Sequence, residues 1–435
     1  MGLLFTLSLT YGGAITSLFR PYYGFLIYVC FAIVRPPALW HWSVPASGNY
    51  SRIIGIALLL GWALHGFGNW KFGGSRTILI CLLGFWAWMI LSTALSPPPV
   101  NGWPTVEHYA KIVLPFLAGL TLIKTEADVW KLAWVIMLST GFVAYEYNLH
   151  YYNGGDADKF LRQDGNTLSI AMLPGCGLAF FCGLLKQKGW RRWLLFLIAA
   201  LIAHIPMASM SRGGMLGLVC LGVTSFILIP KKPRFLAFYG LAVAAGLFLA
   251  GPSVVEEFNT VFTDTKELED QDYGRMFIWK ACFNEMLRKP VFGCGQDRWP
   301  FTAASYGFAT ENKDAHSLWA QTGAELGVPG ISLLLGFYLS TIWLQWRQAS
   351  RETNVELAIL SKMVILGLIG FMVPASFVTV EGFEIPYYVA LVGAATIKLA
   401  DFAPAPVRNH PIPGHRVRSP DYSFQGQRTA GGPLA

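Results

Sequence analysis

The chain has 435 residues, of which 54% are hydrophobic and 13% are charged, and its mean hydropathy is +0.45. This composition excludes an ordinary soluble domain, in which about a quarter of the residues carry charge. The net charge of +8 suggests a nucleic-acid partner, but no basic stripe is interleaved with aromatic residues, so nucleic-acid binding is not expected.

Membrane-length apolar segments make up most of the chain. A hydrocarbon core about 30 Å thick requires roughly 17–25 apolar residues per helical span, and these segments lack the alternation of a membrane β-barrel. We predict an all-α polytopic membrane protein of about twelve spans, because the two short segments before Arg35 can form one interrupted element. The first segment lacks a basic leader region, so we expect it to remain as the first helix. The candidate segments are residues 3–18, 22–35, 51–66, 77–96, 109–123, 128–146, 167–185, 193–209, 215–229, 235–251, 328–346, 363–380 and 386–400.

Basic residues cluster in three short loops, at 185–192, 230–234 and 346–351. Cytoplasmic loops retain Lys and Arg, so these clusters predict the cytoplasmic side. The same register predicts that the turn 209–214 and the long polar segment up to His316 face the periplasm of a bacterial inner membrane.

Four regions follow from this pattern. Residues 1–251 are predicted to be N-terminal transmembrane helices, and residues 252–327 a periplasmic loop and helical region that carries site residues. Residues 328–400 are predicted to be C-terminal transmembrane helices. Residues 401–435 combine Pro, Gly, Ser and Arg with little apolar content, which predicts a disordered cytoplasmic tail.

Two arginines on the predicted periplasmic side are candidates for binding phosphate. Arg212 lies in MSRGGM, where two glycines permit a sharp bend, and a guanidinium group forms a fork that matches phosphate oxygens. Arg275 begins a predicted amphipathic helix, where free backbone amides also favour an anion. A solvated surface charge is the alternative for each. The apolar residues of that helix predict a membrane-surface location and are Met276, Trp279, Phe283 and Leu287.

His316 is the candidate for proton transfer, since histidine accepts protons near neutral pH. It precedes a short helical stretch that carries Gln321 and Glu325 and ends near Gly327. The alternative is a structural hydrogen bond.

A metal site is not expected. The carboxylates of the polar segment form one run, from Asp264 to Asp272, without a recognised ligand motif. Cys282 and Cys294 share this segment and are either a disulfide or two free thiols.

These motifs resemble the O-antigen ligase superfamily of bacterial polysaccharide enzymes. The resemblance rests on the SRGG turn, on GRMFIWKACFNEMLRKPVFGCG and on AHSLWAQTGAELGVPG, and it extends from about Tyr147 to Trp346. The early sequence FRPYYGFLIYV resembles the ligase branch. One departure is His316-Ser317, where the family commonly has His-Asn.

The resemblance implies a fold similar to the C-type glycosyltransferases (GT-C), with a periplasmic helical lid. It implies an enzyme that passes a glycan from undecaprenyl diphosphate to the lipid A-core oligosaccharide, with no metal or other cofactor. By motif, Arg212 and Arg275 correspond to the diphosphate-binding arginines and His316 to the proton acceptor. Glu325 is expected either to orient the site in support of these residues or to serve in capping or packing. Tyr273 and Lys280 are further supporting candidates, for contacts with the lipid carrier.

Three other functions stay open from the sequence. An O-antigen polymerase and a protein O-oligosaccharyltransferase would use the same donor with other acceptors. A membrane transporter would require ionisable residues at mid-membrane depth, and these are scarce, with His204 inside a candidate span and Glu146 at the end of one.

Overall fold

The computed structural model describes residues 2–97, 102–246, 248, 275–307, 314–351, 354–380 and 382–402. Within these ranges the chain forms helices and turns and no strand, so the predicted all-α class is confirmed. The principal helices are α1 (Gly2–Phe19), α2 (Pro21–Val34), α3 (Tyr50–Leu64), α4 (Arg76–Leu95), α5 (Trp103–Leu122), α6 (Glu126–Tyr152), α7 (Gly165–Phe181), α8 (Gly189–Ala208), α9 (Arg212–Leu228), α10 (233–246), α11 (Arg275–Arg288), α12 (Leu318–Arg351), α13 (Val355–Met372) and α14 (Glu384–Asp401). Short helical turns are Pro36–Leu39, Ala46–Gly48, Gly73–Ser75, Ala157–Arg162, Cys182–Lys186, Trp299–Ala303, Ala304–Tyr306 and Pro374–Ser376.

Each predicted apolar segment coincides with a helix, namely α1 to α10 and α12 to α14. In the described part of the chain, eight helices are long and apolar enough to cross a membrane, and α3 and α9 are shorter apolar helices. The protein is therefore a multi-pass membrane protein. The count of about twelve spans and the GT-C likeness stay predictions.

The two segments before Arg35 are separate helices packed against each other. A Cβ atom at Gly13 would lie 2.8 Å from Ile27 Cγ2, and Gly24 packs against Ser17. From Gly13 to Ser17 the residue number rises along α1, whereas the partners in α2 fall from Ile27 to Gly24. The two helices therefore form an antiparallel hairpin. The expected single interrupted element is replaced by this hairpin because Pro21 starts a new helix, where its missing N–H costs nothing.

The centre of the bundle consists of α7, α13 and α14. Protein buries most of each of these helices, whereas α1 and α8 leave most of their surface exposed. Exposed apolar side chains on membrane helices are suited to contact with lipid. The three central helices are therefore positioned by packing against protein on all sides.

Helix α12 is broken at Gly327, where φ is 67°. A Cβ atom there would lie 2.5 Å from Val291 O and 2.6 Å from Pro290 O, so only glycine fits. Val328 N donates a hydrogen bond of 2.8 Å to Pro290 O. The break separates a short N-terminal part of α12, which carries Glu325, from the long part that follows.

Helix α13 ends at Met372, earlier than the predicted segment 363–380. Pro374 begins a 3₁₀ turn, and residues 377–380 are irregular. Proline cannot donate a backbone hydrogen bond, which ends the helical ladder. The segment 374–380, called here the linker, instead packs against the candidate site.

Candidate functional site

Arg212 is the first residue of α9. The preceding Ser211 caps this helix, because its hydroxyl accepts a hydrogen bond of 3.1 Å from Gly214 N. The left-handed residue of the turn is Met210, with φ of 49°, and not one of the two glycines. The expected role of Gly213 and Gly214 in bending the chain is therefore wrong.

Gly214 serves close packing instead. A Cβ atom at Gly214 would lie 2.8 Å from Pro206 Cβ and 2.9 Å from Ser169 Cβ. Ser169 Oγ also lies 2.9 Å from Ser209 Oγ, which ties α7 to the end of α8. The start of α9, and Arg212 with it, is thus fixed against two neighbouring helices.

Arg275 begins α11 and lies near Arg212. Protein around the Arg275 side chain lowers its pKa even though part of its surface is exposed, and the charge of Arg212 lowers the pKa further. The two guanidinium groups are therefore close enough to repel each other. Such an arrangement attracts an anion with more than one negative charge.

His316 lies two residues before the start of α12, with an exposed side chain and a left-handed backbone, φ 50°. Positive φ is uncommon for a residue other than glycine. The preceding residue, Ala315, is held at both its amide nitrogen and its carbonyl oxygen. Ala315 N donates to Gln321 Oε1 at 3.2 Å, and Ala315 O accepts from Trp279 Nε1 at 3.1 Å. The helix that begins with Arg275 is thereby bonded directly to the segment that carries His316.

The linker 374–380 connects the same parts of the site. Val378 O accepts a hydrogen bond of 3.1 Å from Leu318 N, and Phe377 packs on Trp279 with ring centroids 5.8 Å apart. A Cβ atom at Gly213 would lie 3.8 Å from Val378 Cγ2. The linker therefore touches the Arg212 turn, the helix of Arg275 and the residues next to His316.

Asp314 is a residue of the site that the sequence analysis missed. Asp314 has an exposed surface, but the protein around its carboxyl group raises the pKa of that group. The nearby His316 opposes this shift, and the charge of Asp164 adds to it. Asp164 caps α7 through a hydrogen bond of 3.0 Å from Thr167 N. The signal in the sequence was the spacing Asp-Ala-His, which has no recognised meaning by itself.

Glu325 is fully buried, and its carboxylate holds the loop between α11 and α12. It accepts hydrogen bonds from Gln296 Nε2 at 3.0 Å, from Asp297 N at 3.1 Å and from Trp299 N at 3.1 Å. The carboxylate therefore acts on this loop, which fits a supporting role rather than direct contact with substrate.

The other supporting candidates are Lys280 and Tyr273. Lys280 is exposed on α11, and Tyr273 lies outside the described residues. Met276, Phe283 and Leu287 are exposed, whereas Trp279 turns inward to its hydrogen bond with Ala315 O. Contact of α11 with the membrane surface stays a prediction.

Cys282 and Cys294 are both buried and both free thiols, in one small apolar cluster with Trp299. The acidic run Asp264–Asp272 and the tail from 403 onward lie outside the described residues. Among the residues that are described, no three His, Cys, Asp or Glu side chains are grouped so that they could hold a metal ion.

An apolar cavity of about 540 Å³ lies between α7, α8, α9 and α10. Its walls include Met207 and Met215, and Met215 is one helical turn beyond Arg212. The cavity therefore starts next to the Arg212 turn. Other lining residues are Val219, Gly222, Tyr239 and Val243.

The fold is that of a multi-pass membrane protein, and its candidate site lies at the start of α9, the start of α11 and the segment before α12. Residues 197–335 match the family model described as O-antigen ligase, so this part of the chain is similar to that family. The predicted resemblance is confirmed, and the match includes Arg212, Arg275, His316 and Glu325. The class of function is that of the superfamily's membrane glycan transferases, which comprises ligases, polymerases and oligosaccharyltransferases.

The N-terminal part of the chain matches a second family model. Residues 1–158 match a family of unknown function (DUF5935), so the likeness of the first spans to the ligase branch stays a prediction. No curated protein matches the chain in sequence.

Proposed function

We propose that this protein is an O-antigen ligase of the bacterial inner membrane. It transfers a polysaccharide from undecaprenyl diphosphate to the lipid A-core oligosaccharide, at a site that faces the periplasm. The observation that carries the proposal is the approach of Arg212 and Arg275 to each other beside the His316 segment, within the matched domain.

The two arginines bind the diphosphate of the donor. As the bond between the anomeric carbon and the phosphate oxygen breaks, its electron pair stays on the leaving undecaprenyl diphosphate. Two guanidinium groups stabilise that negative charge, and each offers paired donors that match phosphate oxygens. The repulsion between Arg212 and Arg275 in the free enzyme is relieved when the anion binds.

His316 accepts the proton of the acceptor hydroxyl. The acceptor oxygen attacks the anomeric carbon from the side opposite the diphosphate, so the new glycosidic bond has inverted configuration. The exposed position of the imidazole is compatible with a large acceptor. A histidine is suited to this step because its pKa lies near neutral pH.

The apolar cavity beside Arg212 suits the polyprenyl tail of the donor. Its wall is almost entirely apolar, and its volume of about 540 Å³ is that of a lipid or small-molecule pocket. A donor with its diphosphate at Arg212 has its tail directed along α9 into this cavity.

Genetic complementation tests the proposal. A strain that lacks this protein is supplied with wild type, His316→Ala, Arg212→Ala or the control His41→Ala, at matched membrane abundance. His41 is an exposed histidine outside the matched domain 197–335. We expect wild type and His41→Ala to restore long-chain lipopolysaccharide, and the two site variants to leave lipid-linked polymer unused.

Other outcomes identify the alternatives. A null strain that still caps its core with a single repeat unit indicates a polymerase. Loss of glycan from exported proteins with normal lipopolysaccharide indicates a protein O-oligosaccharyltransferase. Full activity of both site variants contradicts the assigned site and returns the transporter to consideration.

A further inference from the structure

A buried hydrogen-bond chain runs from the core of the site region to the residue before His316. Its middle member is Gln321, which is only 4% exposed. Gln321 Oε1 accepts hydrogen bonds from Ala315 N at 3.2 Å and from Thr379 Oγ1 at 3.1 Å. Gln321 Nε2 donates to Glu325 Oε1 at 3.4 Å.

Glu325 determines which way the Gln321 amide faces. An ionised carboxylate only accepts hydrogen bonds, so it takes the NH₂ group of Gln321 and leaves the carbonyl oxygen for Ala315 N. The carboxylate is itself fixed by the backbone amides of Asp297 and Trp299, each at 3.1 Å. The orientation of Gln321 is thus set by an anchored charge on the following turn of α12.

The conformation of His316 requires such support. A left-handed backbone at a residue other than glycine is unfavourable and persists only where the surroundings over-determine it. Here Gln321 holds the amide nitrogen of Ala315, one residue before His316, and Trp279 holds the carbonyl oxygen of Ala315. On the other side, the amide of Leu318, two residues after His316, donates to Val378 O at 3.1 Å. Loss of the Gln321 contact removes one of the two hydrogen bonds described for Ala315 and so weakens the support on this side of His316.

We propose that Gln321 is a positioning residue that, oriented by Glu325, holds His316 in its left-handed conformation and directs the imidazole toward the acceptor hydroxyl. This inference rests on the proposed role of His316 in glycan transfer. Because Gln321 is buried, we assign it no direct contact with donor or acceptor. Its effect is expected on turnover rather than on binding of the lipid-linked donor.

The test uses the full chain in lipid nanodiscs with three variants. Gln321→Leu removes both hydrogen-bonding functions, and Thr379→Val removes one donor to Gln321 Oε1 as a milder change. The control is Gln345→Leu, because Gln345 is another buried glutamine of α12 with a hydrogen bond of 2.8 Å to Gly393 O. Two readouts are taken, namely transfer kinetics with lipid-linked donor and the rate of His316 carbethoxylation by diethylpyrocarbonate, followed by mass spectrometry.

We expect Gln321→Leu to reduce kcat by about 10- to 100-fold with little change in KM for the donor, since a misplaced catalytic group costs rates of this order. Its His316 labelling rate should differ from wild type, and Thr379→Val should show a smaller change of the same kind. Gln345→Leu should match wild type in kcat and in labelling.

The proposal is overturned if Gln321→Leu labels and turns over like wild type, or if Gln345→Leu shows equal changes. The labelling comparison does not require transfer activity. Absence of transfer by wild type would thus contradict the proposed function, while the labelling rates would still decide whether Gln321 positions His316.

Discussion

Arg275 differs from an ordinary surface arginine because the surrounding protein and the charge of Arg212 both lower its pKa. Arg275→Lys keeps the positive charge but loses the guanidinium fork. Loss of one charge-assisted hydrogen bond costs about 1.5–3 kcal/mol, so we expect kcat/KM for the lipid-linked donor to fall roughly tenfold or more. Transfer kinetics measure this effect. Arg288→Lys on the same helix is the control, and equal losses in both variants would argue against a diphosphate contact.

Asp314 makes stability depend on pH. Because the protein around its carboxyl group raises the pKa of that group, the folded state holds this proton more tightly than the unfolded state does. Its contribution to stability therefore falls as pH rises from the unfolded pKa through the raised pKa. The melting temperature of Asp314→Asn minus that of wild type is the quantity of interest. We expect this difference to increase as pH rises from acid to neutral. Thermal unfolding across that range measures it, and a relative decrease would contradict the assignment.

The residues of the site differ in how far sequence could predict them. Arg212, Arg275 and His316 stand in motifs whose order along the chain carries the resemblance. Asp314 and the hydrogen bonds of Gln321 depend on contacts between distant segments, such as Gln321 with Thr379. Local patterns contain no information on those contacts, so the sequence could not indicate them.

At the scale of helices, hydropathy located the elements well, because apolar runs of membrane length have few alternatives to a helix. It failed for the linker, which was assigned to a span. Phe377 and Val378 are apolar because they pack against protein at the site. Hydropathy reports burial and does not distinguish burial in lipid from burial in protein.

Helix α9 offers a matched pair of glycines. Gly214→Ala would place its methyl group 2.8 Å from Pro206 Cβ, whereas at Gly213 the nearest atom is Ile170 Cδ1 at 3.2 Å. Overpacking of this kind costs about 1–3 kcal/mol. We expect Gly214→Ala to lower the melting temperature in detergent clearly more than Gly213→Ala does. Equal melting temperatures would show that α9 can shift away from α7 without cost.

For the whole molecule, the cavity relates the membrane bundle to the polar site. A Cβ atom at Gly222 would meet only Tyr239 Oη, at 3.6 Å, so Gly222→Leu can fold and fill part of the cavity. We expect KM to rise for a donor with a full-length polyprenyl tail and to change less for a short-tail analogue. Steady-state kinetics with both donors measure this.

Gly240→Leu is the control for that comparison, since a Cβ atom at Gly240 meets no atom within 4 Å and this residue is not part of the cavity wall. An equal rise of KM for both donors in Gly222→Leu would argue against tail binding in the cavity.

The break at Gly327 has a consequence for how the protein tolerates different membranes. A helix that crosses a bilayer adapts to its thickness by tilting. An unbroken α12 would transmit that tilt to Gln321 and so to His316. The backbone ladder is interrupted at Gly327 and the chain is held there by Pro290 O, so the long part of α12 can change its angle while the short part keeps its place. We therefore expect turnover in vesicles of shorter and longer acyl chains to vary little, and a steep dependence of turnover on acyl-chain length would contradict this role of the break.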